Sequence, residues 1–181
     1  MFKWWSKVVT AHRSDDETER GEVVEFFFPR LKAAFFIRML IVAAVTFLVF
    51  GVFLMPCVID GESMMPTYDS HGLTFCKRWS YWFSRPERGD VVIINYAPRI
   101  YLLKRIVALE GDTVEFRTGT LLVNGQKVDE PYVRYMSNWY LKPRTVDKGN
   151  CYVVGDNRSQ HINEHIFGQI QLKRITGKPL F

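Results

Sequence analysis

The sequence contains few cysteines and no cysteine spacing typical of metal binding. Its three cysteines, Cys57, Cys76 and Cys151, are an odd number, and no two of them form a C-x-x-C pair. This pattern indicates neither a disulfide framework nor a zinc site. We therefore expect the three side chains to be small buried hydrophobic groups, and we expect the protein to use no metal and no cofactor.

The sequence also lacks a block of basic residues, although its formal net charge is +5. Lysines and arginines are interleaved with aspartates and glutamates, which argues against a nucleic-acid partner. A membrane surface is the acidic partner that this charge favours. Because 48% of the residues are apolar and 15% are aromatic, the chain can bury a core and is not disordered as a whole.

Charged residues are absent from Met39 to Val58, a run about as long as a helix that crosses a hydrocarbon core. Apolar residues extend the run towards the N-terminus, and Arg38 can reach the headgroups from near the helix end. A cleaved targeting signal is disfavoured because the run is too long and too far from Met1. A buried core helix is usually shorter and amphipathic. The sequence therefore predicts a transmembrane helix over residues 35–58.

The charges that flank this helix differ in sign. The basic residues on its N-terminal side are Arg30, Lys32 and Arg38. The acidic residues that follow it are Asp60, Glu62 and Asp69, and no basic residue appears before Lys77. By the positive-inside rule, residues 1–34 form a cytoplasmic segment and residues 59–181 form a domain on the outer side. That part has about 120 residues, enough for one domain.

The outer part has the pattern of a mainly β, mostly antiparallel domain. Short apolar runs alternate with turn signals, and no stretch keeps a helical period. The predicted strands lie within residues 73–79, 91–96, 101–112, 113–119, 120–128 and 151–158. Tight turns are expected at residues 88–90 and 124–125, where Gly and Asn tolerate a positive φ. Residues 130–150 lack clean alternation and are expected to form an irregular loop.

Ser63 follows the predicted helix on a glycine-containing turn, with methionine and proline neighbours that carry no competing polar groups. The position suits an exposed nucleophile, although a serine in a turn is more often a local hydrogen-bonding group. A serine nucleophile needs a base. The four histidines, at positions 12, 71, 161 and 165, show no Ser-His-Asp arrangement, which leaves lysine as the candidate base.

Lys104 lies within an apolar run that is predicted to be a strand. Alternation puts it on the same face as Leu102 and Ile106, and opposite Leu103 and Arg105. Burial on that face lowers the pKa of a lysine from its usual value of about 10.4, so a neutral amine is attainable. The alternative is an ordinary strand lysine that reaches water. Spacing alone does not decide between them.

Four ordered blocks of the sequence resemble the type I signal peptidases, the family of leader peptidases with a serine/lysine dyad. These blocks are GESMMPT at 61–67, RGDVV at 88–92, KRIVALEGD at 104–112 and GDNR at 155–158, with Gly168 beyond them. A lone S-M-x-P is a weak signal, but four blocks in order behind a predicted membrane helix are highly specific. They cover nearly the whole outer part.

The resemblance implies a membrane-bound serine endopeptidase that removes N-terminal signal peptides from exported preproteins. Ser63 attacks the scissile carbonyl, Lys104 takes and returns its proton, and an acyl-enzyme forms. Since Gly61 has no side chain, the Ser63 N–H is the main oxyanion donor. The substrate lies extended between the segments before Ser63 and Lys104. Met64, Leu102 and Leu103 are the predicted walls of pockets that select A-x-A, unless they are plain core residues.

Residues around the predicted dyad are expected to support it. These supporting residues are Gly61, Pro66, Arg105, Gly155, Asp156, Asn157 and His161. Asp156 and Asn157 are interpreted as turn-stabilising groups beneath the site, and Arg158 as a surface or pairing residue.

The chain departs from the family after GDNR, because His161 stands where members have a serine that helps to hold the lysine. Asn163-Glu164-His165 likewise replaces Asp-Ser-Arg. Another partner, His161 or Ser159, is therefore expected to orient Lys104, and the charge pairing around Arg105 must differ.

The resemblance also implies a location, partners and compactness. The protein is expected in the plasma (inner) membrane as a monomer, with preproteins and membrane lipid as its partners. The region between Asp112 and Asn150 is short for the family, so a compact single β-domain is expected. Two alternatives stay open: a peptidase dedicated to pilins or conjugation proteins, and a non-catalytic membrane assembly factor.

Overall fold

The computed structural model describes residues 33–180, which fall into two compact units that divide after Val45. The predicted N-terminal segment, with Arg30 and Lys32, lies almost wholly outside the described residues. The first unit contributes most of helix α1, Ala33–Phe47. The second unit, Thr46–Phe181, contains every strand of the described residues.

The apolar helix ends five residues earlier than the sequence predicted. Helix α1 continues as a π-helical segment, Leu48–Phe53, and together they form a 21-residue helix, Ala33–Phe53, that is long and apolar enough to cross a membrane. From Leu54 the chain is extended in strand β1, Leu54–Asp60. The predicted helix bound at residue 58 is therefore wrong. Pro56 is unfavourable in a helix interior but is tolerated in an edge strand.

Seven strands form the larger sheet, and all of their pairings are antiparallel, which confirms the predicted mainly β fold. Besides β1, they are β2 His71–Lys77, β3 Val91–Ala97, β4 Ile100–Leu109, β9 Asn150–Val154, β10 Gly168–Gln171 and β11 Ile175–Pro179. Their spatial order is β1-β2-β11-β3-β4-β9-β10. Strands β1, β10 and β11 were not predicted.

Four strands between Asp112 and Asn150 form a second, smaller sheet in the order β7-β6-β5-β8. They are β5 Thr113–Arg117, β6 Thr120–Val123, β7 Gln126–Lys127 and β8 Leu141–Thr145. Strand β8 lies within the predicted irregular loop, so that prediction is wrong there. The sequence LKPRT of β8 shows no alternation, because it contains Pro143 and only its first residue is buried.

The two sheets share one hydrophobic core. Strands β4 and β9 of the larger sheet contribute Val107, Ala108, Tyr152 and Val154. The smaller sheet contributes Val114, Phe116, Leu121, Val123 and Leu141, and Trp139 packs edge-on against Phe116 with ring centroids 5.4 Å apart. Because both sheets bury side chains in this core, they form one compact β unit.

Short 3-10 turns connect some strands, at Arg78–Tyr81, Ile162–Glu164 and Leu172–Arg174. The predicted turns at Gly89 and at Asn124-Gly125 have the positive φ that they require. All three cysteines are free; Cys76 and Cys151 are buried as expected, whereas Cys57 is only half-buried.

Candidate active site

Ser63 lies in the loop that joins β1 to β2, and its backbone is fixed by the chain after β9. The N–H of Asn157 donates to the Ser63 carbonyl oxygen at 3.0 Å, and the Asn157 side-chain amide donates to the Glu62 carbonyl oxygen at 3.0 Å. Gly61 opens the loop with φ +124°, a conformation that favours glycine. Pro66 follows a cis peptide bond. The loop is thus held against Asn157 by two hydrogen bonds.

Lys104 lies in the middle of β4, and only 3% of its surface is exposed. Burial lowers the pKa of its ammonium group to about 8, and the negative charge of Asp156 partly opposes that shift. Within residues 33–180 the Lys104 Nζ has neither a hydrogen-bond acceptor nor a carboxylate within salt-bridge distance. The side chain is therefore a buried amine that gives up its proton unusually easily.

Ser63 and Lys104 line the same cavity, which has a volume of about 230 Å³. Gly61, Leu102 and Asn157 also line it. The structure therefore places the predicted nucleophile and the predicted base in the lining of one cavity. A hydroxyl beside a buried amine of lowered pKa is an arrangement that supports nucleophilic catalysis.

Ser63 also lines a second, smaller cavity of about 70 Å³. Its lining includes all three predicted pocket residues, Met64, Leu102 and Leu103. Met64 is almost fully buried, whereas Leu102 and Leu103 are half-buried. A space of this size next to the nucleophile accepts only a small side chain.

Asp156 lies beneath the site in a buried ion pair with Arg105, the residue that follows Lys104. Two hydrogen bonds join them: Arg105 Nε donates to one carboxylate oxygen at 2.8 Å and Arg105 Nη2 to the other at 2.6 Å. Thr67 Oγ1 also donates to Asp156 at 2.6 Å, and the Arg105 guanidinium lies 3.9 Å from the centre of the Tyr132 ring. The pair links the Ser63 loop, β4 and the GDNR turn.

Arg158 is buried, so the surface alternative for this residue is wrong. It pairs with Glu130, to which Arg158 Nη1 donates at 2.6 Å, and its Nε donates to the Gly155 carbonyl oxygen at 3.3 Å. A buried arginine needs such a partner, because an unpaired buried charge is costly. The sequence did not identify Glu130, since it lies in the predicted irregular loop.

Within residues 33–180, His165 lines the cavity that contains Lys104, whereas the two predicted partners of Lys104, Ser159 and His161, do not. Ser159 Oγ donates to Asn157 Oδ1 at 2.8 Å, and His161 is exposed, with its Nδ1 accepting from the Asn163 N–H. Within residues 33–180, neither lines the cavity that contains Lys104, so the expectation that one of them orients Lys104 is wrong.

His165 does line that cavity, and its Nε2 is buried without a hydrogen-bond partner among the described residues. Its ring packs edge-on against Trp139, with ring centroids 4.8 Å apart. Burial, followed by the positive charges of Lys104 and Arg158, lowers the pKa of His165. The imidazole is therefore neutral at physiological pH. No sequence pattern predicts that His165 shares a cavity with Lys104, because His165 belongs to the segment that departs from the family pattern.

A family profile described as "Signal peptidase, peptidase S26" matches residues 30–181 of the chain. The chain is 36% identical over 139 residues to "Thylakoidal processing peptidase 1, chloroplastic" of Arabidopsis thaliana, a match that covers 70% of this chain and 41% of that protein. It is 31% identical over 157 residues to "Signal peptidase I" of Bacillus caldolyticus, which covers 79% of this chain and 84% of that one.

The chain thus spans about two fifths of the length of the plant relative. Among solved structures, a signal peptidase I of Enterococcus faecalis matches at 28% identity and a TM-score of 0.44. That match covers 52% of this chain and 97% of the solved chain.

Proposed function

Since the chain belongs to the signal peptidase family, peptidase S26, we propose that it is a membrane-bound serine endopeptidase that removes N-terminal signal peptides from exported preproteins. One observation carries the proposal: Ser63 and the buried Lys104 line a single cavity. A non-catalytic assembly factor would have no need for a lysine held in such an unfavourable environment.

The proposed reaction uses the two side chains as nucleophile and base. Neutral Lys104 accepts the hydroxyl proton of Ser63 while Ser63 Oγ bonds to the scissile carbonyl carbon. The resulting ammonium then gives that proton to the leaving amine as the C–N bond breaks. Water hydrolyses the remaining ester, and Lys104 again takes and returns a proton. A pKa of about 8 suits this role, because a base works best when its pKa is near the working pH.

The backbone around Ser63 supplies the proposed oxyanion site. Gly61 has no side-chain donor, so the negative charge on the tetrahedral oxygen is stabilised mainly by the Ser63 N–H. The hydrogen bond from Asn157 to the Ser63 carbonyl oxygen fixes the adjoining peptide and thereby the direction of the loop. We assign Gly61 and Asn157 this positioning role.

The substrate is proposed to bind as an extended strand between β1 and β4. Strand β1 pairs only with β2, and β4 pairs with β9 only from Arg105 onward, so within the described residues one edge of β1 and one edge of residues 100–104 have no strand partner. Residues of both edges line the small cavity beside Ser63. A preprotein segment that pairs there would put a small side chain in that cavity, as A-x-A cleavage sites require.

His165 is proposed as a positioning residue for Lys104. Its neutral imidazole shares the cavity with the lysine amine, and its Nε2 has no other partner in the described part of the chain. A hydrogen bond between the two groups, direct or through water, would take the place of the serine that holds the lysine in similar peptidases. Its ring is held by Trp139.

The proposed location is the plasma (inner) membrane, with a single crossing. The helix Ala33–Phe53 is the crossing segment. Arg38 and the earlier basic residues face the cytoplasm by the positive-inside rule, and the peptidase domain lies outside. This placement gives the site access to signal peptides that emerge at the outer surface.

Cleavage of a purified preprotein with an A-x-A site, by the full chain in detergent micelles, tests the function. Ser63→Ala and Lys104→Ala should each lower kcat/KM by roughly 1,000-fold or more, since each removes one member of the reacting pair. The exposed pair Ser84→Ala and Lys127→Ala serves as the matched control and should cleave like the wild type. Retained cleavage in both dyad variants would exclude the proposal.

A further inference from the structure

A cleft of about 1040 Å³ in the described part of the chain has no role in the proposed reaction. Three basic residues line it, Arg78, Lys173 and Arg174, and no acidic residue of the described range does. Tyr101 lines both this cleft and the small cavity beside Ser63, so the two lie side by side. The cleft is therefore a strongly cationic site next to the proposed substrate path.

The backbone holds two of these basic groups without neutralising them. Arg78 Nη1 donates to the Gly51 carbonyl oxygen at 3.1 Å, and Arg174 Nη1 donates to the Tyr96 carbonyl oxygen at 3.3 Å. Within residues 33–180, none of the three forms a salt bridge with a carboxylate. Each arginine carries five N–H donors, so most of them remain available to an anion.

The cleft lies where the apolar helix ends. Val52 lines it and belongs to the helix Ala33–Phe53. The next residue, Phe53, packs against Trp82 with ring centroids 5.9 Å apart, and Trp82 also lines the cleft. Trp82 is 57% exposed and Phe83 is 97% exposed. Exposed aromatic rings beside the end of a membrane helix are typical of the headgroup level of a bilayer.

We propose that this cleft binds the phosphate group of an anionic phospholipid. Guanidinium groups bind phosphate oxygens through paired hydrogen bonds, and a lysine adds a mobile positive charge. A lipid fits better than an acidic protein segment, because Val52 and Trp82 offer apolar contacts for its glycerol and acyl groups beside the three cations. The site is separate from the proposed dyad and goes beyond the proposed peptidase function.

Native mass spectrometry of the full chain in a neutral detergent tests the proposal, with phosphatidylglycerol and phosphatidylcholine of identical acyl chains as probes. The wild type should bind phosphatidylglycerol at least tenfold more tightly than phosphatidylcholine. The triple variant Arg78→Gln/Lys173→Gln/Arg174→Gln should lose that preference, because each cation near the surface contributes roughly a fivefold gain. The matched control Lys127→Gln/Lys142→Gln/Lys148→Gln removes the same charge from exposed positions and should keep the preference.

Equal binding of phosphatidylglycerol by the three proteins, or no preference in the wild type, would overturn the proposal. Soluble glycerol 1-phosphate distinguishes a headgroup from a free phosphate, since it should bind much more weakly than the lipid; equal binding would contradict a lipid site. Tighter binding of a glutamate-rich peptide than of phosphatidylglycerol would assign the cleft to acidic protein segments instead.

Two further measurements separate this result from folding and from catalysis. The thermal midpoint shows whether the triple variant is folded; if it is not, Lys173→Gln alone should show a roughly fivefold loss of the preference. Cleavage of a soluble A-x-A peptide should be unchanged in the triple variant, because none of its three residues lines the cavity of Ser63 and Lys104 within residues 33–180. A negative result for lipid binding therefore leaves the proposed peptidase function untouched, and a negative result for cleavage leaves the proposed lipid site untouched.

Discussion

Gly155 and Ser63 are in such close contact that a methyl group on the Gly155 α-carbon would lie 2.3 Å from the Ser63 carbonyl oxygen. The obstacle is backbone, which has no flexible end that can move aside. The same carbonyl oxygen accepts the N–H of Asn157 at 3.0 Å. The end of β9 thus sets the position of the proposed nucleophile, and any side chain at residue 155 must push the Ser63 loop away.

Gly155→Ala is therefore expected to lower kcat/KM by about 100-fold or more, because a displacement of about 1 Å at a reacting group has that effect. Cleavage of an A-x-A peptide measures it, with thermal unfolding alongside. Gly72→Ala is the matched control, since the nearest atom to its added methyl group is 4.0 Å away, an ordinary contact. A Gly155→Ala protein with wild-type kcat/KM and thermal midpoint would contradict the close contact.

The activity should depend on pH through Lys104. Its pKa is lowered to about 8 by burial, and only the neutral amine accepts the Ser63 proton. The value of kcat/KM should therefore rise about tenfold per pH unit below pH 8 and level off above it. A pH profile with a soluble peptide measures this. A profile that is flat between pH 6 and pH 9 would show that Lys104 is not the base.

Lys104 should also lower the free energy of unfolding at neutral pH, compared with a protein that has an apolar side chain at this position. Its pKa is lowered on folding, so the folded state binds fewer protons than the unfolded state between about pH 8 and pH 10.5. The contribution of Lys104 to stability therefore rises with pH across that window and is at its most unfavourable below it.

Lys104→Met is accordingly expected to be more stable than the wild type at pH 7, by roughly 3 kcal/mol. That advantage should shrink as pH rises from 8 to 10.5. Urea unfolding at several pH values measures the difference, in which the contributions of other titrating groups largely cancel. Equal stability of the two proteins at pH 7 would argue against a desolvated ammonium group.

The sequence was sufficient for the strands with unbroken apolar runs, such as β3 and β4, and insufficient for strands whose pattern is hidden. Strand β1 is so apolar that its sequence predicts a continuation of the membrane helix, and β8 contains a proline and exposed charged residues. Local patterns do not contain the edge pairings that make these segments extended, because those pairings depend on distant partners.

The same limit applies to the site. The family blocks predicted Ser63 and Lys104 as the reacting pair, and periodicity predicted that Lys104 lies on an apolar face. The partners of the buried charges were not predicted, since Glu130 lies 28 residues from Arg158, and Asp156 lies 51 residues from Arg105. His165 was missed for a related reason: its position beside Lys104 depends on its packing against Trp139, which lies in a segment predicted to be irregular.

His165 should affect the rate through Lys104. His165→Leu removes the polar group from the cavity and is expected to lower kcat about tenfold or more with little change in KM, because the amine loses its orientation. His165→Gln keeps a donor and an acceptor and should recover part of the rate. His161→Leu is the control, since His161 is exposed.

A merely structural role for His165 predicts a different result. The ring packs against Trp139, so a packing defect would lower the thermal midpoint of His165→Leu and His165→Gln alike and leave the pH profile of kcat/KM unchanged. A positioning role instead moves that profile, because the hydrogen bond changes the proton affinity of Lys104. An unchanged profile together with wild-type kcat in His165→Leu would refute the positioning role.

The small cavity beside Ser63 should set the size limit for the substrate. Leu103 is half-buried in its wall, on β4 opposite Ile93 of β3. Leu103→Ala enlarges the cavity by about three methylene-sized groups. Each such group changes the discrimination between two substrates by roughly tenfold or more. The variant should therefore have a much higher ratio of kcat/KM for peptides with valine to kcat/KM for peptides with alanine, at the first or the third position before the cut. Peptide pairs that differ only at those positions measure the ratio of kcat/KM.

Leu73→Ala is the matched control for Leu103→Ala, because Leu73 is exposed on β2 and, within residues 33–180, does not line the cavity. If Leu103→Ala stays active while the valine-to-alanine ratio is unchanged at both positions, then this cavity does not receive the substrate side chain.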